Sequence, residues 1–543
     1  MRLGERGANG LAISRQAWLW MAMGALIFGG CERAPTPEPL PVAESATADS
    51  PAVQAVSAGP APVLESLPAD GKNHFAEPRE TWQVHYIGDA KVGFGRMRVS
   101  QTDEGLLLIE SEEQITIDRG GSTVTQKVEL TNVEEPDGRL VRFESRVNLG
   151  PVTTVSRGET TDRGLLRIET EVQGKTVAGE IPWQEKWGGF FAADRSLLNA
   201  PMRPGETRTL HALQPLVNQV GEIRLTARDY EEIELLVGSQ RLLRIDVTMA
   251  VAGVPIDVVM WSDQRGETWK TYLPNLQQTS YRATKELALT KNDVARYDLF
   301  DQITVPVNAP LKNGHKTQRV VYRARLKNGD PAEAFVSDVA QTVRSLDPHT
   351  AEITVVAIRP GEPLPSATEV QPPTENDRVA NSLIQSDDPH VRRMAAGVAP
   401  EETDPARLAL ALEQFVHKAI NKKNFSQAFA TAAEVAQTRE GDCTEHAVLL
   451  AALCRARAIP ARCAMGLVYF PQPQGATFAY HMWTEAWIED RWVPLDATLG
   501  QGGIGGGHLK VAHSDLHGAG PFAAFLPVFR VLGQLELEVI EQE

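Results

Sequence analysis

The stretch Gly441-Asp442-Cys443-Thr444-Glu445-His446-Ala447-Val448-Leu449-Leu450 decides how the C-terminal part of this chain folds and what it can do. Asp442 suits an N-cap, because its carboxylate can accept a backbone N–H of the first turn, and Glu445 three residues later completes a capping box. Cys443 then takes the first helical position, and Leu449, Ala452, Leu453 and Ala456 follow at helical spacing as one apolar face. A thiol at a helix N-terminus meets the positive end of the macrodipole and unpaired N–H groups, both of which favour the nucleophilic thiolate. Asp442 and Glu445 oppose it as nearby negative charges. A further cation is needed, and a protonated imidazole would supply it.

Downstream, Tyr480-His481-Met482-Trp483 and Trp492-Val493-Pro494-Leu495-Asp496 provide an imidazole and an acid. Reading Glu489-Asp490 as a two-residue hairpin turn places Trp487 opposite Trp492 and Trp483 opposite Asp496. His481 is then the diagonal neighbour of Asp496, roughly 7 Å or less between Cβ atoms. A carboxylate there can accept the imidazole N–H and fix its tautomer. Gly-Asp-Cys at a helix start, His-Met-Trp-x-Glu-x-Trp on a strand and Trp-Val-Pro-Leu-Asp-Ala-Thr on the next resemble the transglutaminase-like superfamily of papain-like cysteine enzymes, over roughly residues 376 to 500. The resemblance implies a helix packed on an antiparallel sheet, with Cys443, His481 and Asp496 as a catalytic triad and no cofactor. It leaves the reaction open, since bacterial members are thought to include peptidases and amidases as well as cross-linkers.

At 543 residues and 42% hydrophobic content the chain can bury two or three cores, and its formal net charge of −16, spread diffusely, argues against nucleic acid as a partner. Arg2, Arg6 and Arg15 precede a short apolar run from Ala17 to Gly30 that ends at Cys31. This segment resembles a bacterial lipoprotein signal in which Cys31 is lipidated, although Phe28 stands where a branched aliphatic residue is usual. An uncleaved anchor would need a longer apolar core. The expectation is an exported protein held to a membrane by the lipid and facing the periplasm or cell exterior, with a protein or peptide substrate in the cell envelope. Residues 32–78, rich in Pro, Ala, Ser and Glu, read as a flexible tether.

From 79 to 300 the period is two, as in Trp82, Val84, Tyr86 and in Val141, Phe143, Ser145, Val147, with turns at Pro136-Asp137-Gly138 and Asp162-Arg163-Gly164. This predicts a large antiparallel β domain, curved or half-barrel, which could cradle a ligand or simply pack as structure. Residues 301–373 predict a small β module, and 374–543 the transglutaminase-like domain. The whole is a multidomain α+β chain. Within the last part, Thr374 opens a helical stretch, Asp404-Pro405 starts an amphipathic helix through Ala419, and a further helix runs through Phe429 to Val435.

Other residues compete for roles. His446, one turn from Cys443, is a rival base without an obvious carboxylate to orient it. His508, His513 and His517 have spacings that permit zinc but lack cysteine partners, and read otherwise as solvated loop residues. Cys454 and Cys463 could pair outside the cytoplasm or serve as small core hydrophobes. Cys443 cannot bridge to Cys454 across roughly 16 Å of helix. The run from Gly500 to Gly507 reads as a mobile flap or a flexible connection, and Trp483, Trp487 and Trp492 as a groove or as cross-strand packing. The expected chemistry is attack of the Cys443 thiolate on an amide carbonyl, with His481 protonating the departing amine and the Cys443 N–H facing the oxyanion. A cell-envelope binding or assembly module acting through the β domain is the alternative class.

Overall fold

The computed structural model describes residues 73–119, 122–148, 153–172, 174–290, 304–363, 371–422, 430–472, 475–517 and 521–543; the signal segment, Cys31 and nearly all of the tether lie outside them. Alternating side chains from Arg79 onward build one antiparallel sheet of fourteen strands, β1 (Arg79–Ile87) through β8 (Lys175–Pro182) and β9 (Thr207–Gln214) through β14 (Gln278–Ala283). Its order runs from β8 to β1 and then from β14 to β9, so two meanders join where Val84 faces Tyr281 and His85 faces Ser280.

The two edge strands, β8 and β9, are consecutive in sequence, and their connection shows that the sheet curls. Trp183 N–H donates to the Gly164 carbonyl, and five residues later Gly188 N–H donates to that of His211 on β9. Five residues reach at most about 17 Å, whereas fourteen flat strands would stand about 60 Å across. Asn218 Nδ2, in the turn after β9, then donates to Ser156 Oγ on β6 (Thr153–Thr161) and Thr170 Oγ1 on β7 (Leu165–Val172), at 3.0 and 3.1 Å. The expected curved sheet therefore closes most of the way round. Its interior is partly polar: His85 meets Ser280 Oγ through Nδ1 and Glu113 Oε2 through Nε2, each at 2.8 Å. Glu113 can approach because Gly95 lies between the strands, where a Cβ would stand 2.3 Å from Glu113 Oε2.

A second sheet, of four antiparallel strands, takes β16 (Arg319–Leu326), β17 (Gln341–Asp347), β18 (Thr350–Val356) and β23 (Leu535–Gln542) in the order β17, β18, β16, β23. The chain's last strand thus lies beside β16 in the small module, outside the sheet of the C-terminal domain in which the sequence placed it. The exchange runs both ways, since β15 (Val305–Pro306) pairs with Thr477 and Phe478.

The third sheet holds β15, β19 (Ala461–Gln472), β20 (Gly475–Ile488) and β22 (His508–Ser514), with β21 (Arg491–Leu495) also paired to β20. The helix Cys443–Ala456 packs on β19 and β20, and the helices Pro389–Gly397, Pro405–Ala419 and Ala432–Thr438 cover its other sides. Every residue from Cys443 to Arg455 is buried, so the helix is enclosed all round where the sequence suggested a single apolar face. Asp404 caps the helix Pro405–Ala419 by accepting from Arg407 N–H, as its sequence predicts. Two other helix starts differ. Thr374 caps only a short 3-10 turn, and of the helix expected through Phe429 to Val435 the first residue lies outside the described residues, while the described helix begins after Thr431, whose hydroxyl accepts from Glu434 N–H.

Candidate active site

The predicted capping box forms: Asp442 Oδ1 accepts from Thr444 N–H and Glu445 Oε2 accepts from Asp442 N–H, both at 2.9 Å, which sets Cys443 at the first helical position. Glu445 Oε1 also accepts from Ala430 N–H at 2.9 Å. Burial, with the charge of Asp442 beside it, pushes the Glu445 carboxyl up to about 8. Near neutral pH that group is largely protonated, so one of the two charges expected to oppose a thiolate is mostly removed. His446 Nδ1 lies 2.6 Å from the Asp442 carbonyl, a bond within the first turn.

The hairpin carrying the imidazole and the acid has the predicted register. Glu489 and Asp490 take left-handed conformations, φ +50° and +55°, as a two-residue turn matched to strand twist requires. Trp487 faces Trp492, and Thr484 faces Leu495. His481 Nε2 then lies 2.8 Å from Asp496 Oδ2. The other carboxylate oxygen, Oδ1, accepts from the N–H groups of Thr498 and Leu499 at 2.9 and 3.2 Å, which fixes the acid's orientation. Thr484 Oγ1 donates to the Ala447 carbonyl at 2.9 Å and ties the first turns of the cysteine helix to the strand that carries His481.

Two partners of this site were not legible in sequence. His508, read as a loop residue, opens β22 and places its Nε2 3.0 Å from the same Asp496 Oδ2. Glu413, on the buried face of the helix Pro405–Ala419, accepts from the N–H groups of Asp496 and Gly503 at 3.2 Å each. Burial and the Asp496 charge push Glu413 up to about 7. A glutamate at helical spacing with Ala409 and Val416, both buried, was the available signal for it. Asp496 goes the other way. Burial alone would raise its carboxyl, but the two imidazoles hold it well below the usual carboxylate range. An ionised carboxylate only accepts, so each ring carries its hydrogen on Nε2. Nδ1 of His481 is left as the atom that can take or return a proton.

The remaining candidates separate. His513 and His517 are exposed and His508 is buried, so that trio does not converge; among the described residues the metal-compatible cluster is His481, Asp496 and His508. Cys454 and Cys463 are free and buried, and burial pushes both thiols up to about 12. They are core residues. Trp487 and Trp492 pack against each other at 5.3 Å, with Arg462 over Trp492, while Trp483 stacks on His481 and meets His508 edge-on at 5.4 Å. The glycine run is no flap in this structure. Gly506 N–H donates to the Thr317 carbonyl at 2.7 Å, Tyr322 Oη donates to the Gly506 carbonyl, and a Cβ at Gly505 would stand 1.8 Å from the His315 oxygen. Its glycines permit close backbone approach. Cys443 is 2% exposed, and His481 and Asp496 are 0%.

Residues 392–497 match the family model of the transglutaminase-like superfamily. No curated protein matches the chain. Among solved structures, a β-barrel-like protein of a domain of unknown function from Brucella abortus aligns over 38% of this chain and 96% of its own, with 8% identity and a TM-score of 0.31. A putative cysteine protease from Cytophaga hutchinsonii aligns over 42% of this chain and 85% of its own, with 14% identity and a TM-score of 0.25. A putative protease from Parabacteroides distasonis aligns over 73% and 65%, with 11% identity and a TM-score of 0.17. The segment matched to the transglutaminase-like superfamily, residues 392–497, is the one that carries the cysteine helix and the His481–Asp496 hairpin.

Proposed function

We propose that the chain is a cysteine-dependent acyl-transfer enzyme in which Cys443 is the nucleophile, His481 the general base and acid, and Asp496 the group that orients His481. The observation that carries this reading is the 2.8 Å contact between His481 Nε2 and Asp496 Oδ2, which leaves Nδ1 for the thiol proton. The thiolate attacks an amide carbonyl, the oxyanion faces the Cys443 N–H, His481 protonates the departing amine, and the thioester is resolved by a second nucleophile. Water as that nucleophile makes the enzyme a peptidase or amidase, which we favour because water needs no acceptor site of its own. An amine would make it a cross-linking transglutaminase. We further propose that Cys31 is lipidated and that the enzyme acts on protein or peptide in the cell envelope. No helix among the described residues is long and apolar enough to cross a membrane.

The burial of all three side chains favours a second reading, a non-enzymatic envelope module that works through its β domain and keeps the triad as structure. One experiment separates them. Envelope extract is incubated with the wild-type protein and with Cys443→Ala, and covalent adducts are read by mass spectrometry. The enzymatic reading predicts an acyl group as a thioester on Cys443 of the wild type alone; wild-type protein that never forms one, together with a Cys443 thiol that iodoacetamide does not reach, refutes it.

A further inference from the structure

Around Asp496 lies a ligand set that shares His481 and Asp496 with the acyl-transfer triad and adds His508, which acyl transfer does not use. His481 Nε2, Asp496 Oδ2 and His508 Nε2 all lie within 4.8 Å of one another, contributed by β20, the segment after β21, and β22. Two imidazoles and one carboxylate, with a fourth position for water, form an established type of zinc ligand set. Ligand atoms about 2.05 Å from a tetrahedral ion stand about 3.3 Å apart. The N···O separations of 2.8 and 3.0 Å therefore need to open by a few tenths of an ångström.

The surroundings already hold these ligands in place. Asp496 Oδ1 is fixed by two backbone N–H groups, and Trp483 stacks on the ring of His481 and meets that of His508 edge-on. Such outer contacts orient the ligands of metal sites. His508 is also prepared for a change of tautomer. Its buried Nδ1 holds no hydrogen bond that the arriving ring hydrogen would break, and the Gly505 carbonyl is near the ring to accept that hydrogen.

We propose that His481, Asp496 and His508 form a zinc-class cation site, and that its occupancy blocks acyl transfer. Each imidazole would ligate as the neutral ring through Nε2, its hydrogen transferred to Nδ1, with the carboxylate as the one charged ligand. Zinc is neither oxidised nor reduced, and the ring hydrogens are relocated within the rings. For His481 the relocation is decisive. Nδ1–H can no longer take the thiol proton, so the metal removes the base without touching the sulfur. This last step rests on the acyl-transfer reading, whereas the ligand set does not.

The test uses the full chain and zinc chloride. Competition against a chromogenic chelator gives affinity, and zinc X-ray absorption gives the first shell. The expected result is one equivalent bound through nitrogen and oxygen at about 2.0–2.2 Å, with no sulfur at about 2.3 Å. Cys443→Ala should bind equally well, and His508→Ala at least about tenfold more weakly. His508→Gln, close in size to the native residue, should show the same loss with an unchanged thermal melt, which separates a lost ligand from lost packing. Absence of binding, sulfur in the first shell, or loss of binding in Cys443→Ala overturns the site. Zinc that binds as described should also slow alkylation of wild-type Cys443, and an unaltered rate overturns the block. A Cys443 that fails to alkylate even without zinc instead refutes the acyl-transfer reading, while the absorption spectrum still decides the site.

Discussion

Replacing Asp496 by Asn tests the tautomer argument, because the side chain keeps its shape and loses only the ability to accept through both oxygens. Two orientations are open to the amide. If its oxygen faces the imidazoles, its NH2 meets the N–H groups of Thr498 and Leu499, and one buried and one part-buried donor lose their acceptor, the buried one at about 1–3 kcal/mol. If its NH2 faces the imidazoles, both backbone bonds survive and both rings must move their hydrogen to Nδ1. His508 can do so at small cost, since its buried Nδ1 holds no hydrogen bond to give up and the Gly505 carbonyl is near its ring to accept the moved hydrogen. The second orientation is therefore favoured, and it leaves His481 with Nδ1–H and no base. In the wild type, alkylation of Cys443 by iodoacetamide should show a midpoint within the range of about 3.5–7.5 seen for cysteines at helix N-termini or beside an imidazolium. In Asp496→Asn that midpoint should rise towards about 8.5, the value of an ordinary thiol. Turnover of any substrate found should fall about 10⁴-fold, the size of the loss when a serine-triad carboxylate becomes an amide. Far-UV circular dichroism and the melting temperature check that the fold persists. Superimposable alkylation profiles for the two proteins, or a wild-type midpoint already near that of a free thiol, would refute the reasoning.

Glu445→Gln should flatten the pH dependence of the melting temperature. The wild-type carboxyl sits at about 8 folded against about 4.3 unfolded, so its contribution is fully present below about pH 4.3 and is lost as pH rises through about 8. The variant also loses one acceptor for the Asp442 and Ala430 N–H groups, at about 1–3 kcal/mol, and this part does not vary with pH. Burial alone would raise Glu485, but the charges of Lys510 and Arg462 hold it down to about 2. Lys510→Met should therefore destabilise the domain by about 3–5 kcal/mol in urea unfolding, by stripping a buried carboxylate of one partner. Gly466→Ala should cost about 1–3 kcal/mol and displace β22, because its Cβ would stand 1.9 Å from the Leu509 carbonyl oxygen. Exchanging Glu489-Asp490 for Asn-Gly should stabilise the domain by about 0.5–1 kcal/mol, since both positions have positive φ; a lower melting temperature would contradict the turn assignment.

What the sequence made legible here depends on local pairing. The Asp442–Glu445 capping box and the Asp404 cap each join residues three positions apart, and the hairpin from His481 to Asp496 is set by a two-residue turn and by alternation along two strands. Within such distances residue type nearly determines geometry. The alternation from Arg79 onward likewise gives antiparallel strands. It cannot show that β1 closes on β14, because that pairing joins residues almost two hundred positions apart and either meander could have presented another edge.

Glu413, His508 and the Gly500–Gly507 run were missed or misread for other reasons. Glu413 and the glycine run take their meaning from partners far along the chain, whereas His508 lies only 12 positions from Asp496 but is joined to it by the glycine run and not by a short turn that sets a register. Asp496 N–H lies 83 positions from Glu413, and Thr317, which receives the Gly506 N–H, lies almost two hundred positions before it. Glycine density has two opposite causes: a chain left free to move, and a chain pressed so closely against other backbone that a Cβ has no room. Gly503 and Gly505 belong to the second, with Cβ positions that would fall 2.1 and 1.8 Å from the carbonyl oxygens of Ile358 and His315. That close packing has a functional consequence. The strap ends at Gly507 and β22 begins at His508, so the backbone contacts that exclude side chains from the strap also anchor the segment that brings the second imidazole to Asp496. The small β module, which supplies Thr317, Tyr322 and Ile358 to hold the strap, therefore takes part in building the site.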